Sequence, residues 1–266
     1  MRHFEVKIGD LEAKLEAFLH EKSSSWPSYD HRPCIVICPG GGYGFLSDRE
    51  MDPVSLEWLA QGYQVFVMHY SVAKKAVNDQ PLKEIAEAIG TIRSNANEWG
   101  IDSDKIAVLG FSAGAHLSLS LGTMYDSDIL TKGVNYRPDA LILCYPVVSA
   151  GQFVHCGSFE NLTGGKDQDK WEKYSLEKKI NSKTPPCFIW HTLNDELVPV
   201  QNTMLLVDSL IEHGVMFELH IYPSGAHGLS MCTGEVCRPG AQVDKHPGTW
   251  FSLSCEWLNQ LFDFKK

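Results

Sequence analysis

A serine flanked by glycines is the pattern in this chain that is best suited to covalent chemistry. Gly110-Phe111-Ser112-Ala113-Gly114 follows the apolar run Ile106–Leu109 and precedes helix-forming residues. A sharp turn between a strand and a helix would lift the Ser112 hydroxyl clear of a sheet, and the helix would direct N–H groups at developing negative charge. The pattern alone also arises by chance, and a glycine-rich turn with a capping serine is the structural alternative. Its position between a strand and a helix favours Ser112 as a nucleophile.

A nucleophilic serine needs a base and an acid, and two later loops offer them. The hydroxyl is inert until a histidine accepts its proton and a carboxylate fixes the tautomer of that histidine. Asp195 and His227 each follow an apolar run that is typical of a strand. Glu196 is a local alternative to Asp195, and helix capping is the structural alternative for both acids. The sequence therefore predicts Ser112, Asp195 and His227 as a catalytic triad.

The chain has eleven histidines, so ten others compete with His227 for the role of base. His116 falls just inside the helix after Ser112, and three more lie in strand-like runs, which predicts packing roles. The other six lie in segments without comparable loop geometry. No H-E-x-x-H pattern exists, so we expect no catalytic metal and no cofactor. The ten are His3, His20, His31, His69, His116, His155, His191, His213, His220 and His246.

Three consecutive glycines follow the apolar run Ile35–Cys38, within Pro39-Gly40-Gly41-Gly42-Tyr43-Gly44. Such a loop lets backbone N–H groups converge on an anion. A phosphate-binding loop is the competing function, but Phe45 stands where G-x-G-x-x-G needs glycine, and no G-K-[ST] follows. A plain glycine turn is the structural alternative.

The glycine loop lies one strand and one crossover ahead of the nucleophile, where esterases carry an HGGG-type oxyanion motif. Pro39 stands in place of the leading histidine. The N–H groups of Gly41, Gly42 and Ala113 are therefore predicted to stabilise an oxyanion. Tyr43, beside this loop, is a candidate substrate contact.

Alternating strand-like and helical segments must position these loops. The strand-like runs are nearly continuous in apolar residues, as expected of parallel strands covered on both faces. They are Ile35–Cys38, Gln64–Tyr70, Ile106–Gly110, Ala140–Cys144, Phe188–His191 and Phe217–Tyr222. Helices are predicted between them, over Asp52–Gly62 (with Asp52 as N-cap), Pro81–Trp99, Ala113–Leu121, Pro199–His213 and Trp250–Phe262. The alternation predicts one α/β domain over residues 1–266, a doubly wound, mostly parallel sheet with chemistry at the carboxyl ends of its strands.

Composition excludes several classes of function. The net charge of −10 argues against binding to nucleic acid, which needs clustered Lys and Arg. No window is apolar enough for a signal peptide or a membrane span, which predicts a cytoplasmic protein without a membrane partner. The eight cysteines fit a reduced compartment. Cys34, Cys38 and Cys144 lie in or beside strand-like runs, where a reduced thiol behaves as a small hydrophobe. Of the other cysteines, only Cys232 and Cys237 are close enough in sequence to suggest a bridge or a metal site, and no second Cys/His pair lies nearby.

The motifs together resemble the esterase/lipase branch of the α/β hydrolases, which contains hormone-sensitive-lipase-like carboxylesterases and acetyl xylan esterases. The resemblance runs from about Pro33 to the C-terminal helix, and the order serine, acid, histidine matches that fold. Pro39-Gly-Gly-Gly-Tyr43 with Ser47-Asp-Arg-Glu50 is similar to the sugar-ester deacetylase group. Pro185-Pro186 and Val198-Pro199 are similar to the same group.

This resemblance implies an α/β-hydrolase fold and hydrolysis of short acyl esters through an acyl-enzyme, often of acetyl groups on sugars or xylan fragments. A kynurenine-formamidase-like activity and a catalytically inactive ligand-binding relative are the alternatives. The segment Val147–Thr184 is predicted to form at most a small cap, and the loop Leu229–Gly248 is the other segment able to shape a pocket. A small-molecule ester is the expected partner, and a homodimer or homotetramer is a family-level expectation.

Overall fold

Eight strands form one sheet in the computed structural model, which describes residues 1–23, 25, 30–237 and 243–265. The spatial order is β1-β2-β4-β3-β5-β6-β7-β8. All pairs from β4 to β8 are parallel, whereas β1 pairs with β2 and β2 with β4 in antiparallel fashion. The strands are β1 (Arg2–Lys7), β2 (Lys14–Leu19), β3 (Arg32–Cys38), β4 (Gln64–His69), β5 (Ile101–Phe111), β6 (Ala140–Cys144), β7 (Cys187–Thr192) and β8 (Phe217–Tyr222). The predicted doubly wound, mostly parallel sheet is confirmed.

The six predicted strands are all present, and β6 and β8 have the predicted bounds. The N-terminal hairpin of β1 and β2 was not predicted, because its residues alternate between polar and apolar and form no continuous apolar run. In β1 every second residue is exposed, in agreement with an edge strand that has one face towards water. A hairpin therefore covers the β4 edge of the sheet.

Helices follow the strands as the apolar spacing predicts, with two differences at their ends. The predicted helix over Pro81–Trp99 breaks at Asn95, whose φ of −103° and ψ of 8° are not helical. Asp52 is the first helical residue, and Met51, not Asp52, occupies the N-cap position. The helices are α1 (Asp52–Ala60), α2 (Gln80–Ser94), α3 (Ala96–Trp99), α4 (Ala113–Met124), α5 (Cys156–Thr163), α6 (Gln168–Glu172), α7 (Gln201–Glu212) and α8 (Thr249–Leu261). Within the described ranges, none is long and apolar enough to cross a bilayer.

Two hydrophobic cores lie on opposite faces of the sheet. Successive side chains of β3 alternate between them: Val36 packs in one core with α2, α4 and α7, whereas Ile35 and Ile37 pack in the other with α1 and α8. Because both faces are covered by helices, the central strands are buried throughout. All loops that leave the carboxyl ends of these strands therefore meet at one edge of the sheet.

Helix α8 connects one of these cores to the segment after His227. Trp250 in α8 is fully buried, stacks on Trp190 of β7 with ring centroids 5.5 Å apart, and donates from Nε1 to the carbonyl of Ser230 at 2.9 Å. The helix thus contributes both packing and a buried hydrogen bond.

We expect Trp250→Ala to lower the free energy of unfolding by about 3–5 kcal/mol, because it leaves a large cavity and an unpaired carbonyl. Urea denaturation measures the difference. Glu256→Ala, an exposed position of the same helix, should stay within about 0.5 kcal/mol of wild type. A loss below about 1 kcal/mol for Trp250→Ala would contradict this account of the core.

Candidate active site

Ser112 occupies a strained turn between β5 and α4. Its φ of 53° and ψ of −114° lie in a region that non-glycine residues rarely adopt. The backbone is fixed there by the N–H of Ser112, which donates to the carbonyl of Cys144 on the neighbouring strand at 2.9 Å. A Cβ atom on Gly114 would lie 2.0 Å from the carbonyl oxygen of Cys38, so only glycine permits α4 to start this close to β3. The G-x-S-x-G residues thus form the predicted sharp turn.

The structure brings together the three side chains that the sequence singled out. His227 Nε2 lies 2.8 Å from Ser112 Oγ, and His227 Nδ1 lies 2.6 Å from Asp195 Oδ2. A neutral imidazole that donates from Nδ1 to the carboxylate leaves Nε2 free to accept the proton of the serine hydroxyl. Ser112 leaves β5, Asp195 follows β7 and His227 follows β8, so their meeting depends on the parallel order of the sheet.

Asp195 is held by four donors. Its Oδ1 accepts the N–H groups of Leu197 and Val198 at 3.0 and 2.9 Å, and its Oδ2 accepts from His227 and, at 3.3 Å, from His191. Burial opposes the ionised carboxylate, but the hydrogen bonds from the two imidazoles and from the Val198 N–H hold the pKa of Asp195 well below its usual range. Asp195 is therefore an ionised acceptor at neutral pH.

Glu196, the alternative acid, does not approach the imidazole. Its side chain is exposed, whereas the Asp195 side chain is fully buried. The structure thus brings Asp195 and not Glu196 to His227. The Asp195 side chain is fixed in this direction because its Oδ1 accepts the backbone N–H groups of Leu197 and Val198 in the turn after β7.

His191 is a member of this cluster that the sequence did not reveal. The prediction of a hydrogen-bonded histidine in a strand is correct: Nδ1 lies 2.8 Å from Thr203 Oγ1 and Nε2 lies 3.0 Å from the carbonyl of Val198. Because that carbonyl only accepts, the proton of His191 is on Nε2, which also faces Asp195 Oδ2. The i, i+4 spacing from His191 to Asp195 is the signal that could have identified it.

Two further histidines differ in exposure to the site. His116 is 1% exposed, and burial lowers its pKa to about 4, in agreement with the predicted packing role. His155 was assigned to a segment without suitable geometry, yet it lines the cavity in front of Ser112. Burial, together with the charge of His227, lowers the pKa of His155, whereas the charge of Asp195 raises it.

The glycine loop folds as a tight turn beside Ser112. Gly41 has a φ of 124°, and a Cβ there would lie 2.1 Å from the carbonyl oxygen of Phe45, so the turn excludes any side chain at this position. Gly42 is fixed by Asn161 of α5, whose Nδ2 donates to the Gly42 carbonyl at 2.9 Å. Ala113 is the first residue of α4. The loop and the N-terminus of α4 thus flank the serine hydroxyl.

The prediction of Tyr43 as a substrate contact is wrong. The Tyr43 side chain is 1% exposed and its hydroxyl lies 2.9 Å from Nδ1 of His116. The ring packs edge-on against Tyr70 and His116. Tyr43 belongs to the hydrophobic core and is not among the residues that line the cavity. Tyr43 therefore anchors the glycine loop.

A cavity of about 350 Å³ opens in front of Ser112. Half of its lining residues are glycine or apolar and half are polar or charged, and Phe45 and Leu197 form an exposed apolar rim. The lining residues are Gly41, Gly42, Gly44, Phe45, Ser47, Arg49, Glu50, Ser112, His155, Gly157, Asn161, Leu197, His227 and Gly228.

The predicted small cap covers one side of this cavity. The segment Val147–Thr184 contains α5 and α6, and His155, Gly157 and Asn161 from it line the cavity. The aromatic side chains of this segment are mostly buried and pack in the core, for example Phe159 and Trp171.

The second predicted pocket segment is Leu229–Gly248, which follows His227. Residues 238–242 of it lie outside the described residues. The side chain of Cys232 is buried, that of Cys237 is half-buried, and both are free thiols.

Sequence comparison assigns the family. The BD-FAE family profile matches residues 27–210, more than half of the chain. The chain belongs to the BD-FAE family. This agrees with the predicted relation to esterases of the α/β-hydrolase superfamily, and the matched region contains Ser112 and Asp195 but ends before His227.

Two curated relatives of this BD-FAE chain are longer proteins. It is 37% identical over 242 residues to endo-1,4-beta-xylanase B of Butyrivibrio fibrisolvens, and this match covers 88% of the chain and 37% of that relative. It is 30% identical over 264 residues to an acetylxylan esterase of Xylanibacter ruminicola, and this match covers 97% of the chain and 48% of that relative. The chain thus spans less than half of the length of either protein.

Solved structures support the same fold over almost the whole chain. An acetyl ester-xyloside bifunctional hydrolase from Caldicellulosiruptor lactoaceticus is 34% identical with a TM-score of 0.82, covering 97% of this chain and 91% of that one. The α/β hydrolase MGS-M1 from a Medee basin deep-sea metagenome library is 33% identical with a TM-score of 0.83, covering 99% of each chain.

We expect Asp195→Asn to lower the free energy of unfolding by about 1–3 kcal/mol at pH 7, because buried donors lose an ionised acceptor. The pKa of Asp195 is lower in the folded than in the unfolded chain. Its contribution is therefore fully present above the ordinary value of 3.8 and is lost as the pH falls through the folded-state pKa.

Urea denaturation at several pH values measures this difference. Glu196→Gln, at the exposed neighbouring position, is the matched control and should behave as wild type throughout. A destabilisation by Asp195→Asn that stays constant from pH 7 down to acid would contradict the ionised, hydrogen-bonded carboxylate.

Proposed function

We propose that this chain is a serine carboxylesterase that hydrolyses short acyl esters, acetyl esters of sugars or xylan fragments above all, through an acyl-enzyme. One observation carries the proposal: the imidazole of His227 lies 2.8 Å from the hydroxyl oxygen of Ser112 and 2.6 Å from a carboxylate oxygen of the buried Asp195. This arrangement can deprotonate the serine during attack and stabilise the imidazolium that results.

Acylation begins when Ser112 Oγ attacks the ester carbonyl carbon and His227 Nε2 takes the hydroxyl proton. The carbonyl oxygen becomes an oxyanion, which the N–H groups of Gly41, Gly42 and Ala113 stabilise. The tetrahedral intermediate collapses as His227 gives the proton to the departing alcohol oxygen. Ser112 is left as an ester of the acyl group, and the ionised Asp195 holds the imidazole tautomer throughout.

Deacylation repeats these steps with water in place of the alcohol. His227 takes a proton from water, the hydroxide oxygen attacks the acyl carbon, and the same N–H groups donate hydrogen bonds to the second oxyanion. Collapse breaks the bond between the acyl carbon and Ser112 Oγ, and His227 returns its proton to the serine. The acid product leaves and the free enzyme is restored.

Three observations support a small ester as the substrate. The cavity of about 350 Å³ is near the lower end of the range for small-molecule sites, and its lining includes the polar side chains of Ser47 and Glu50, which do not favour a long apolar acyl chain. The cap consists of two short helices and a single 3-10 turn, without an extended apolar lid. The relatives with 30–37% identity include proteins named for xylan and for acetyl esters.

We expect Ser112→Ala to lower kcat by roughly a million-fold, the scale seen when a triad serine is removed. A fluorophosphonate probe should label the wild-type chain and not the variant. Ser120→Ala, a buried serine of the same helix whose Oγ bonds to the His116 carbonyl, should still be labelled. Equal labelling of Ser112→Ala and wild type would refute the assignment of the nucleophile.

We expect kcat/KM for p-nitrophenyl esters to fall by roughly tenfold or more from acetate to octanoate, because a long apolar chain would desolvate the polar side chains that line the cavity. Acetylated xylo-oligosaccharides and N-formylkynurenine in the same panel distinguish deacetylation from formamide hydrolysis. A rate that rises with acyl length, or turnover of N-formylkynurenine alone, would replace the proposed substrate class.

A further inference from the structure

Glu50 is a buried carboxylate beside the proposed triad to which the mechanism above gives no role. It ends the 3-10 turn Asp48–Glu50 within the Ser47-Asp-Arg-Glu50 motif, is 2% exposed and reaches the wall of the cavity. Its Oε2 accepts the N–H of Gly40 at 2.7 Å, and its Oε1 accepts the hydroxyl of Tyr145 at 2.7 Å. One carboxylate thus connects the glycine loop to the loop after β6.

The hydrogen bonds around Glu50 fit an ionised carboxylate. The Tyr145 hydroxyl accepts the N–H of Ser230 at 3.0 Å, so its own proton is directed at Glu50. Both carboxylate oxygens therefore act as acceptors, and among the described residues none accepts a proton from Glu50. Burial raises the pKa of Glu50 above its usual value, and the bonds from Tyr145 and Gly40 and the charges of His227 and Arg49 offset only part of this rise.

The neighbouring Arg49 fixes the segment that carries His227. Its Nη1 donates to the carbonyls of Gly228 and Val236 at 3.1 and 3.2 Å. In return, Ser230 Oγ donates to the Arg49 carbonyl at 2.6 Å. The residues that follow His227 are therefore bound to the Asp48–Glu50 turn by side chain and by backbone.

Tyr145 lies between Glu50 and the imidazole. Its ring packs edge-on against His227, with centroids 5.1 Å apart and planes at 70°. Tyr145 is itself held in a rare backbone conformation, with a φ of 39°. The chain of contacts from Gly40 through Glu50 and Tyr145 thus ends on the ring of His227.

We infer that Glu50 is a positioning residue of this site: through Gly40 and Tyr145 it fixes the glycine loop against the His227 loop, and its charge favours the protonated imidazole during the reaction. The inference rests on the proposed function. Glu50 would then be a second buried carboxylate near His227, in addition to Asp195. The charged and titratable groups that face His227 are Asp195, Glu50, Arg49, His155 and Tyr145.

The first test measures the imidazole directly. Glu50→Gln keeps the size of the side chain and removes its charge, so the protonated form of His227 loses stabilisation. We expect NMR titration to show the pKa of His227 lowered by about half a pH unit or more relative to wild type. The His227→Gln spectrum assigns the resonance. This measurement needs no substrate, so it remains informative even if the proposed esterase activity is absent.

Glu84→Gln is the matched control for the removal of a buried carboxylate. Glu84 lies on α2, is 1% exposed and accepts the N–H and hydroxyl of Ser71 at 2.7 and 2.6 Å, and it is not among the residues that line the cavity in front of Ser112. Glu84→Gln is expected to lower stability and to leave the titration of His227 unchanged.

The second test follows p-nitrophenyl acetate hydrolysis against pH. Glu50→Gln should lower kcat by about 10- to 100-fold with KM little changed, because misplaced loops reduce transition-state stabilisation more than binding. The acid limb of kcat/KM should move to lower pH together with the pKa of His227. Glu50→Asp, which restores the charge, should return the acid limb to its wild-type position.

Two results would overturn the inference: an unchanged pKa of His227 in Glu50→Gln, or a loss of kcat with an unmoved acid limb. If Glu50→Gln does not fold, Tyr145→Phe replaces it as the decisive variant, since it removes the bridge to Glu50 and keeps the ring. A wild-type kcat for Tyr145→Phe would then refute the positioning role. Failure of the proposed function is a separate outcome, because it appears as labelling or turnover that Ser112→Ala does not abolish.

Discussion

The contact of one imidazole with a hydroxyl and a carboxylate is the constraint on which the rest of this structure depends. Its partners are 115 and 32 residues from His227 in sequence, so no local structure can form it. Parallel order supplies the proximity, because β5, β7 and β8 all end at the same edge of the sheet. The two cores, in turn, keep that order by covering both faces. The fold is therefore the scaffold for a cluster a few ångströms across.

Buried hydrogen bonds fix the positions of the residues around this imidazole. Three polar side chains at this edge join separate parts of the chain: Asn161 of α5 fixes Gly42, His191 of β7 bonds to Asp195 in the following loop, and Glu50 joins Gly40 to Tyr145. In a medium of low dielectric constant such bonds are strong when complete and costly when broken. The site is thus set by mutual constraints between loops.

Sequence reasoning succeeded where a signal is local. Continuous apolar runs gave the central strands, and glycines around Ser112 identified the turn between β5 and α4. It failed where the decisive partner is distant: Tyr43 was taken for a substrate contact because its buried bond to His116 spans 73 residues. Glu50 was missed as part of the site for the same reason, since its partner Tyr145 is 95 residues away. His191 was missed although Asp195 is only four residues further along the chain. The alternating hairpin β1–β2 was missed because one face of it remains in water.

The unusual backbone angles are concentrated at the reactive edge. Ser112, Tyr145 and Ser230 all have positive φ values without being glycine, and all three lie around the imidazole. Such conformations cost of order 1–3 kcal/mol each and persist only under tight packing. This rim consequently holds stored conformational energy. On warming, it should therefore open locally and separate the three side chains before the sheet itself unfolds.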